Sequence, residues 1–438
     1  MMRRLLKNSA FPLLPQLAMT ILLAVVLFFL IFGPLSDEHN PGSYMLWYLW
    51  WASLPLVFLV VGRMWCSVCP VGFMTDIAYK LFPKRPLGWP DSLHKYKISL
   101  ITGSLLTVHF LNLWFKFEDN IHAGWVLIVL MISLASLLAV LFQKRIWCRT
   151  LCPLGAFAMM MSGMAFLRLK VNKTFCVRRC SSAICGVPTQ SSDRCPMSIN
   201  IFQGIDPRFC SLCGKCLKSC PRNSIDVRWQ LRPELSEHTS PQFSLATLLF
   251  LGISLDMCFY HLMDRPIYFW QLSQYLDITP ASWFEMLLHV LIVALPSCLL
   301  ALSAWFGSRS SAFMSVFIDF ARPALPLAAL VVAATTLRSL TIVGPMNLKA
   351  ILLSGGYQQF SWLDNVRFLD GSPLEIIEQA FVTVGIFLAL RELRKIFAVG
   401  VGQEKINRGW KVSAVAAGIT YLFFGVAYYW MFHQSMMA

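Results

Sequence analysis

The run Cys210-Ser-Leu-Cys213-Gly-Lys-Cys216-Leu-Lys-Ser-Cys220-Pro221 spaces four thiols by gaps of two, two and three residues. Gaps this short let one loop wrap three thiolates around three irons of a cubane, and the fourth cysteine of such a run ligates a second cube. Gly214 permits unusual dihedrals beside the cluster. Pro221 turns the chain away without leaving an amide hydrogen unpaired. Zinc sites also use paired Cys-x2-Cys elements, but three consecutive short gaps ending in Cys-Pro favour iron–sulfur chemistry.

A crossing ligand demands a partner set, and one lies upstream with wider gaps: Cys176, Cys180, Cys185 and Cys195-Pro196. The reciprocal assignment gives Cys176, Cys180, Cys185 and Cys220 to one cube, and Cys195, Cys210, Cys213 and Cys216 to the other. Two [4Fe–4S] clusters are therefore expected.

Four more cysteines form an internal repeat. Trp65-Cys66-Ser-Val-Cys69-Pro70-Val-Gly72 is echoed by Trp147-Cys148-Arg-Thr-Leu-Cys152-Pro153-Leu-Gly155, each after basic residues (Arg63; Lys144 and Arg145). Three readings stay open. The four thiols can converge on an additional metal or a further cluster, act as two redox-active dithiols, or pack as small buried residues at helix ends.

These sites need elements to hold them, and composition names the kind. The chain has 438 residues, 57% hydrophobic and 13% charged, with mean hydropathy +0.61. Soluble domains run nearer 25% charged. The apolar residues lie in blocks long enough to span a bilayer, which takes roughly 20 residues per helix. Spans are expected near Phe11–Phe32, Tyr44–Val61, Ile98–Trp114, Trp125–Phe142, Phe243–Leu262, Phe284–Phe306, Phe313–Leu337, Ile376–Leu390 and Val412–Met431. Asp319, Arg322, Pro323 and Pro326 interrupt the seventh, so a broken or re-entrant segment is the alternative there. The first span reads as an anchor, not a cleavable signal.

The fold class is thus an all-α polytopic membrane protein of about nine transmembrane helices with an inserted cytoplasmic 2[4Fe–4S] ferredoxin-like domain. Residues 1–165 form a four-helix membrane domain with the doubled Cys-Pro motifs at its inner face. Residues 166–240 form the ferredoxin-like insert, and 241–438 a C-terminal membrane domain of about five helices. Lys and Arg concentrate in alternate loops, among them Lys80 to Lys97, Lys144 to Lys170 and Arg391 to Lys411. By the positive-inside rule the N-terminus and clusters are cytoplasmic and the C-terminus periplasmic, in a bacterial cytoplasmic membrane. The same rule accounts for the formal charge of +15 without nucleic acid as a partner. Twelve of the fourteen cysteines fall between Cys66 and Cys220, on the reducing side, where metal or redox chemistry is expected and disulfides are not.

In the C-terminal half, Asp256 is an ionisable residue inside a span and so a functional candidate by default. His261, His289 and His109 lie near the outer ends of their spans. They are candidates for a haem b or copper site, for a quinone or proton site, or for plain interhelical hydrogen bonding. No Cys-x-x-Cys-His is present, so c-type haem attachment is excluded by motif.

The doubled element WCSVCPVG and WCRTLCPLG, followed by CSLCGKCLKSCP, resembles the NapH/NosR/CcoG class of membrane iron–sulfur proteins. The resemblance covers about residues 45–230. It implies four-iron clusters at Cys176–Cys220 and electron transfer between quinol or quinone, cytoplasmic clusters and a partner protein at the membrane or in the periplasm. Unlike the shorter NapH-like members, this chain continues from Phe243 with further spans. The alternatives to a redox relay are a maturation or redox-regulatory protein that supplies electrons for metal-centre assembly, and a transporter with sensory clusters. An enzyme role would be that of a quinol- or quinone-linked oxidoreductase component.

Overall fold

The computed structural model describes residues 2–34, 40–82, 87–142, 145–172, 176, 195–199, 201, 205–220, 223–230, 240–263, 283–307, 313–343, 348, 372–402 and 408–437. Cys180 and Cys185 lie outside the described residues, as does the side chain of His261. Among the described residues nine helices are long and apolar enough to cross a membrane. Two compact units result: one built mainly from Met1–Ser236, the other from Glu237–Pro345 with Trp362–Ala438.

The first unit holds the spans Leu13–Phe32, Pro41–Val61, Lys97–Phe115 and Ile121–Leu141. Leu14, Ile21 and Phe28 of the first span are exposed, which suits acyl chains rather than water. The second span starts sharply because Asn40 caps it. Its side chain accepts from the Gly42 and Ser43 N–H groups, and Pro41 stands at the first helical position.

Two short helix–turn–helix elements follow the second and fourth spans. Met64–Val68 leads through Cys69 into Pro70–Leu81, and Ile146–Thr150 leads towards Cys152 and Pro153–Ser162.

The cysteine-rich insert is closed by a ribbon outside the all-α expectation. Strands β1 (Leu167–Val171) and β2 (Ile225–Trp229) pair antiparallel, Leu167 opposite Trp229 and Val171 opposite Ile225. Leu167, Leu169 and Ile225 turn inward with Leu212 and Leu217. Leu6 and Phe11 complete this core, so the N-terminal helix Met2–Lys7 packs under the insert rather than merely leading into the first span. Lys7 Nζ donates to Asn223 Oδ1 at 2.6 Å, and Lys218 Nζ donates to the Phe11 carbonyl at 2.5 Å.

In the second unit the expected interruption of the seventh span is a break between two helices, Phe313–Ala321 and Ala324–Arg338. Pro323 lacks the N–H that would continue the ladder. The run Ala324–Thr336 is buried along its whole length, and its many alanines let neighbouring helices come close. The eighth span is longer than its apolar run, with helix from Ser372 to Gly402.

Candidate metal centre

The ribbon positions the insert's cysteines. The Asn172 N–H donates to the Ser224 carbonyl at 3.0 Å, and Cys176 N–H to the Asn172 carbonyl at 3.0 Å. Ser224 N–H in turn donates to Cys220 Sγ at 3.3 Å. Cys176 and Cys220, far apart in sequence, are thereby delivered to one end of the ribbon. Cys195 comes within electrostatic reach of both Cys210 and Cys213. Backbone N–H groups point at these sulfurs: Leu212 donates to Cys210 at 3.4 Å, and Met197 and Ile199 to Cys195. Such bonds stabilise thiolates and tune cluster potential. Burial pushes the free Cys210 thiol up to about 12 and raises Cys195 as well. Gly214, at φ +75°, starts the turn after Cys213. A side chain there would begin 2.3 Å from the Leu6 carbonyl oxygen.

The membrane-edge repeat is a repeat in three dimensions too. Cys69 and Cys152 each stand in extended backbone immediately before a helix whose first residue is proline. At Cys152 the N–H of the glycine three residues on turns back to the sulfur, Gly155 donating to Cys152 Sγ at 3.3 Å, whereas Cys69 receives no such cap bond and only lies close enough to the Gly72 and Val71 N–H groups for them to favour its thiolate. A thiol at a helix N-terminus is where a thiolate is best stabilised. All four thiols come together. Cys148 feels Cys66 and Cys69, Cys152 feels Cys148, Cys69 and Cys66, and Cys69 feels Cys66. Burial pushes free Cys69 up to about 11 and free Cys148 to about 12, and raises Cys152 well above the ordinary thiol range.

Two arginines tie the halves together by crossing over. Arg63, which precedes the first repeat, donates to the Cys148 carbonyl of the second at 3.3 Å, and to the Arg208 carbonyl of the insert at 3.0 Å. Arg145, which precedes the second repeat, donates to the Cys66 carbonyl of the first at 3.3 Å. Each guanidinium lies against the other repeat's glycine, Arg63 beside Gly155 and Arg145 beside Gly72. Arg145 also forms a two-pronged pair with Asp76, at 2.8 and 3.1 Å. Burial works against its charge, but Asp76, reinforced by Cys148 and Cys213, outweighs burial and holds it more firmly protonated than usual. Arg63 is 1% exposed, and its Nε has no hydrogen-bond partner among the described residues.

Elsewhere, His109 stacks edge-on against Phe110 in the first unit. In the second unit Asp256 and His289 meet directly, Oδ1 to Nδ1 at 2.7 Å. Spacing singles out the cysteines, but the crossover of Arg63 and Arg145 is visible in the sequence only as a basic residue two positions before each tryptophan.

Fold and site together define a polytopic helical protein with iron–sulfur-type thiol sets at the end of its membrane helices. The family model of a 4Fe–4S binding domain matches residues 44–90 and 123–174, the two stretches that carry the doubled Cys-Pro element. The chain is 28% identical over 191 residues to an uncharacterised protein of Methanocaldococcus jannaschii, covering 40% of this chain and 75% of that one. It is 26% identical over 252 residues to the putative electron transport protein YccM of Escherichia coli, covering 51% of this chain and 66% of that one. It is 29% identical over 140 residues to the methylamine utilization ferredoxin-type protein MauN of Paracoccus denitrificans, covering 30% of this chain and 50% of that one. No solved structure matches it. The chain is thus similar to membrane-type 4Fe–4S electron-transfer proteins over its doubled Cys-Pro region.

Proposed function

We propose that this protein holds two [4Fe–4S] clusters in its cysteine-rich insert and relays single electrons through them. One terminus of the relay is a cytoplasmic partner or the quinone pool, and the other is a redox protein in the membrane or at its periplasmic face. Cys176, Cys180, Cys185 and Cys220 hold one cube; Cys195, Cys210, Cys213 and Cys216 hold the other. The observation that carries this reading is the return of Cys195 to Cys210 and Cys213, the crossing ligand that a two-cluster ferredoxin insert needs. When bound, the clusters supply reversible one-electron storage. The chain orients the thiolates, aims N–H groups at sulfur and buries the set in a small apolar core. The pair Asp256–His289 serves as a proton-handling group in the C-terminal unit, where quinol oxidation would release protons as well as electrons.

The test is anaerobic purification followed by redox-poised EPR of wild type and of Cys213→Ser and Cys220→Ser. Each substitution is expected to remove or convert one four-iron signal and to spare the other. A protein that carries zinc alone in the insert, or whose iron signals ignore both substitutions, would overturn the assignment.

A further inference from the structure

We propose that Arg63 is the positioning residue of the cysteine-rich insert: from the end of the second span it holds the turn that delivers Cys210, and it supplies the buried positive charge that makes the adjoining cube easier to reduce. The inference rests on the reading that Cys195, Cys210, Cys213 and Cys216 hold a four-iron cube. It assigns no ligand role to any further cysteine.

The backbone aims the side chain. Gly62 ends the helix Ala52–Val61 at φ +60°, with its N–H donating to the Phe58 carbonyl at 3.0 Å. A side chain at Gly62 would begin 3.3 Å from Ala165 Cβ and 3.7 Å from Leu212 Cδ1. This corner therefore lies between the start of β1 and the cysteine loop. The Phe166 N–H, donating to the Leu59 carbonyl at 3.0 Å, fastens it on the ribbon side. Arg63 turns inward from the corner and is 1% exposed.

What it grips is the turn before Cys210. The Phe209 and Cys210 N–H groups both donate to the Asp206 carbonyl, at 3.1 and 3.2 Å. The Arg208 N–H donates to the Asp206 carboxylate at 2.9 Å, and its guanidinium does so at 2.5 to 3.0 Å. Asp206 thus braces the turn from within. Arg63 braces it from the membrane domain: Nη1 donates to the Arg208 carbonyl at 3.0 Å and Nη2 to the Cys148 carbonyl at 3.3 Å. One guanidinium joins three segments far apart in sequence, and its hold on the turn falls two residues ahead of Cys210.

Bracing alone does not call for a buried cation. Asp76 is bound to Arg145 and Asp206 to Arg208. Among the described residues Arg63 forms no ion pair, and its Nε has no hydrogen-bond partner. A guanidinium buried without an anion is costly. The sulfur of Cys210 lies within reach of its charge. Four thiolates outweigh the positive charge of a four-iron core, so the loaded cube is an anion, and reduction makes it more negative. Arg63 is therefore balanced when the cube is in place, and it favours the reduced form. Reduction adds one electron, supplied by the donor of the relay, and no bond forms or breaks.

Hydrogen exchange of residues 206–212 and redox-poised EPR are measured on anaerobically purified full-length protein. The midpoint is read from the signal that Cys213→Ser removes. Arg63→Gln is expected to speed exchange in the turn and, at the wild-type midpoint, to lower the ratio of reduced to oxidised cube about tenfold. Arg63→Lys keeps the charge without the fork, so faster exchange with a midpoint near wild type is expected. Asp206→Asn loosens the turn and removes a negative charge, so its midpoint is not expected to fall. Wild-type exchange in both Arg63 variants would overturn the positioning role. An unmoved midpoint in Arg63→Gln would overturn the charge role. So would an equal fall in Asp206→Asn, which would show that the loosened turn sets the potential. Should Arg63→Gln fail to assemble, Arg63→Lys decides alone: a firm turn with a fallen midpoint overturns the proposal. If no EPR signal depends on Cys213, the cluster reading fails, and the exchange result still decides what Arg63 does to the turn.

Discussion

Asp256 Oδ1 and His289 Nδ1 meet at 2.7 Å, with Asp256 fully buried and His289 2% exposed. The helices Pro241–Met263 and Trp283–Gly307 run antiparallel past each other, and Gly252 makes the approach feasible. A side chain there would begin 2.0 Å from the Val293 carbonyl oxygen. One helical turn along on each helix, four residues in opposite directions, the carboxylate faces the imidazole. Cys258 is within electrostatic reach of Asp256, Glu378 and Arg338, and Tyr428 bonds Ser254 at 2.7 Å. Asp319 of Phe313–Ala321 belongs to another level, next to Ile318, whose carbonyl lies 3.5 Å from Ser244 Oγ. That is about 18 Å along the helix from Asp256.

A buried carboxylate paired with a titratable group, not a permanent cation, can take and give a proton. Asp256→Asn keeps the shape and removes that capacity. The expected outcome is a fall of about 100-fold in quinol-linked cluster reduction, with iron content and EPR signals intact. Stopped-flow reduction by a soluble quinol at equal cluster loading reads it. Rates equal to wild type would assign the pair a purely structural role.

Arg338 and Glu378 make the contrasting pair. Two bonds, at 2.7 and 2.8 Å, hold a fully buried carboxylate to a guanidinium whose charge is permanent. Arg338→Met strands Glu378 and is expected to destabilise the protein by about 3–5 kcal/mol. Adding Glu378→Met should restore much of that. Denaturation in detergent, followed for the single and double variants, decides it; a double variant no more stable than the single one would show that packing, not charge, is lost.

What could be read from the chain was local. Nine apolar blocks and cysteine gaps of two or three residues are short-range signals, and both the span number and the iron–sulfur class followed from them. Partners distant in sequence were not legible. Arg63 reaches Cys148 across 85 positions and Arg145 reaches Cys66 across 79, and no periodicity encodes such a crossover. Asp256 and His289 each stood out as polar residues in apolar spans. Only the helix register at Gly252 pairs Asp256 with His289, and only tertiary packing pairs Glu378 with Arg338. The ribbon had an unused signal in the alternation of Leu167, Leu169 and Val171 against Ile225, Val227 and Trp229, which is the period of a strand.

Sidedness is open to a direct check. From the loop charges the insert is expected inside and the C-terminus outside. Fusions of an alkaline phosphatase reporter and of a fluorescent reporter after residue 230 and after residue 438 are expected to be active in opposite compartments. The same compartment for both would mean that an odd number of the five C-terminal helices does not cross.

The last expectation concerns the N-terminal helix as part of the cluster fold. Leu6 is completely buried in the core formed by Leu167, Leu169, Leu212, Leu217 and Ile225, directly beneath the turn that separates Cys213 from Cys216. Gly214 meets it there without a side chain and at positive φ. Gly214→Ala therefore acts twice: it strains a left-handed residue, at about 1 kcal/mol, and it drives a methyl group into the Leu6 carbonyl. The helix must lift or the cysteine loop must shift. Leu6→Ala removes the same packing from the other side, at about 2–5 kcal/mol, without touching the loop's backbone. Both variants are expected to expose Lys7 to trypsin, since its bond to Asn223 depends on the docked helix. Only Gly214→Ala is expected to alter the EPR line shape of the cluster proposed at Cys210, Cys213 and Cys216. If Gly214→Ala leaves both the cleavage rate and the line shape as in wild type, the N-terminal helix is not what holds the cysteine loop in place.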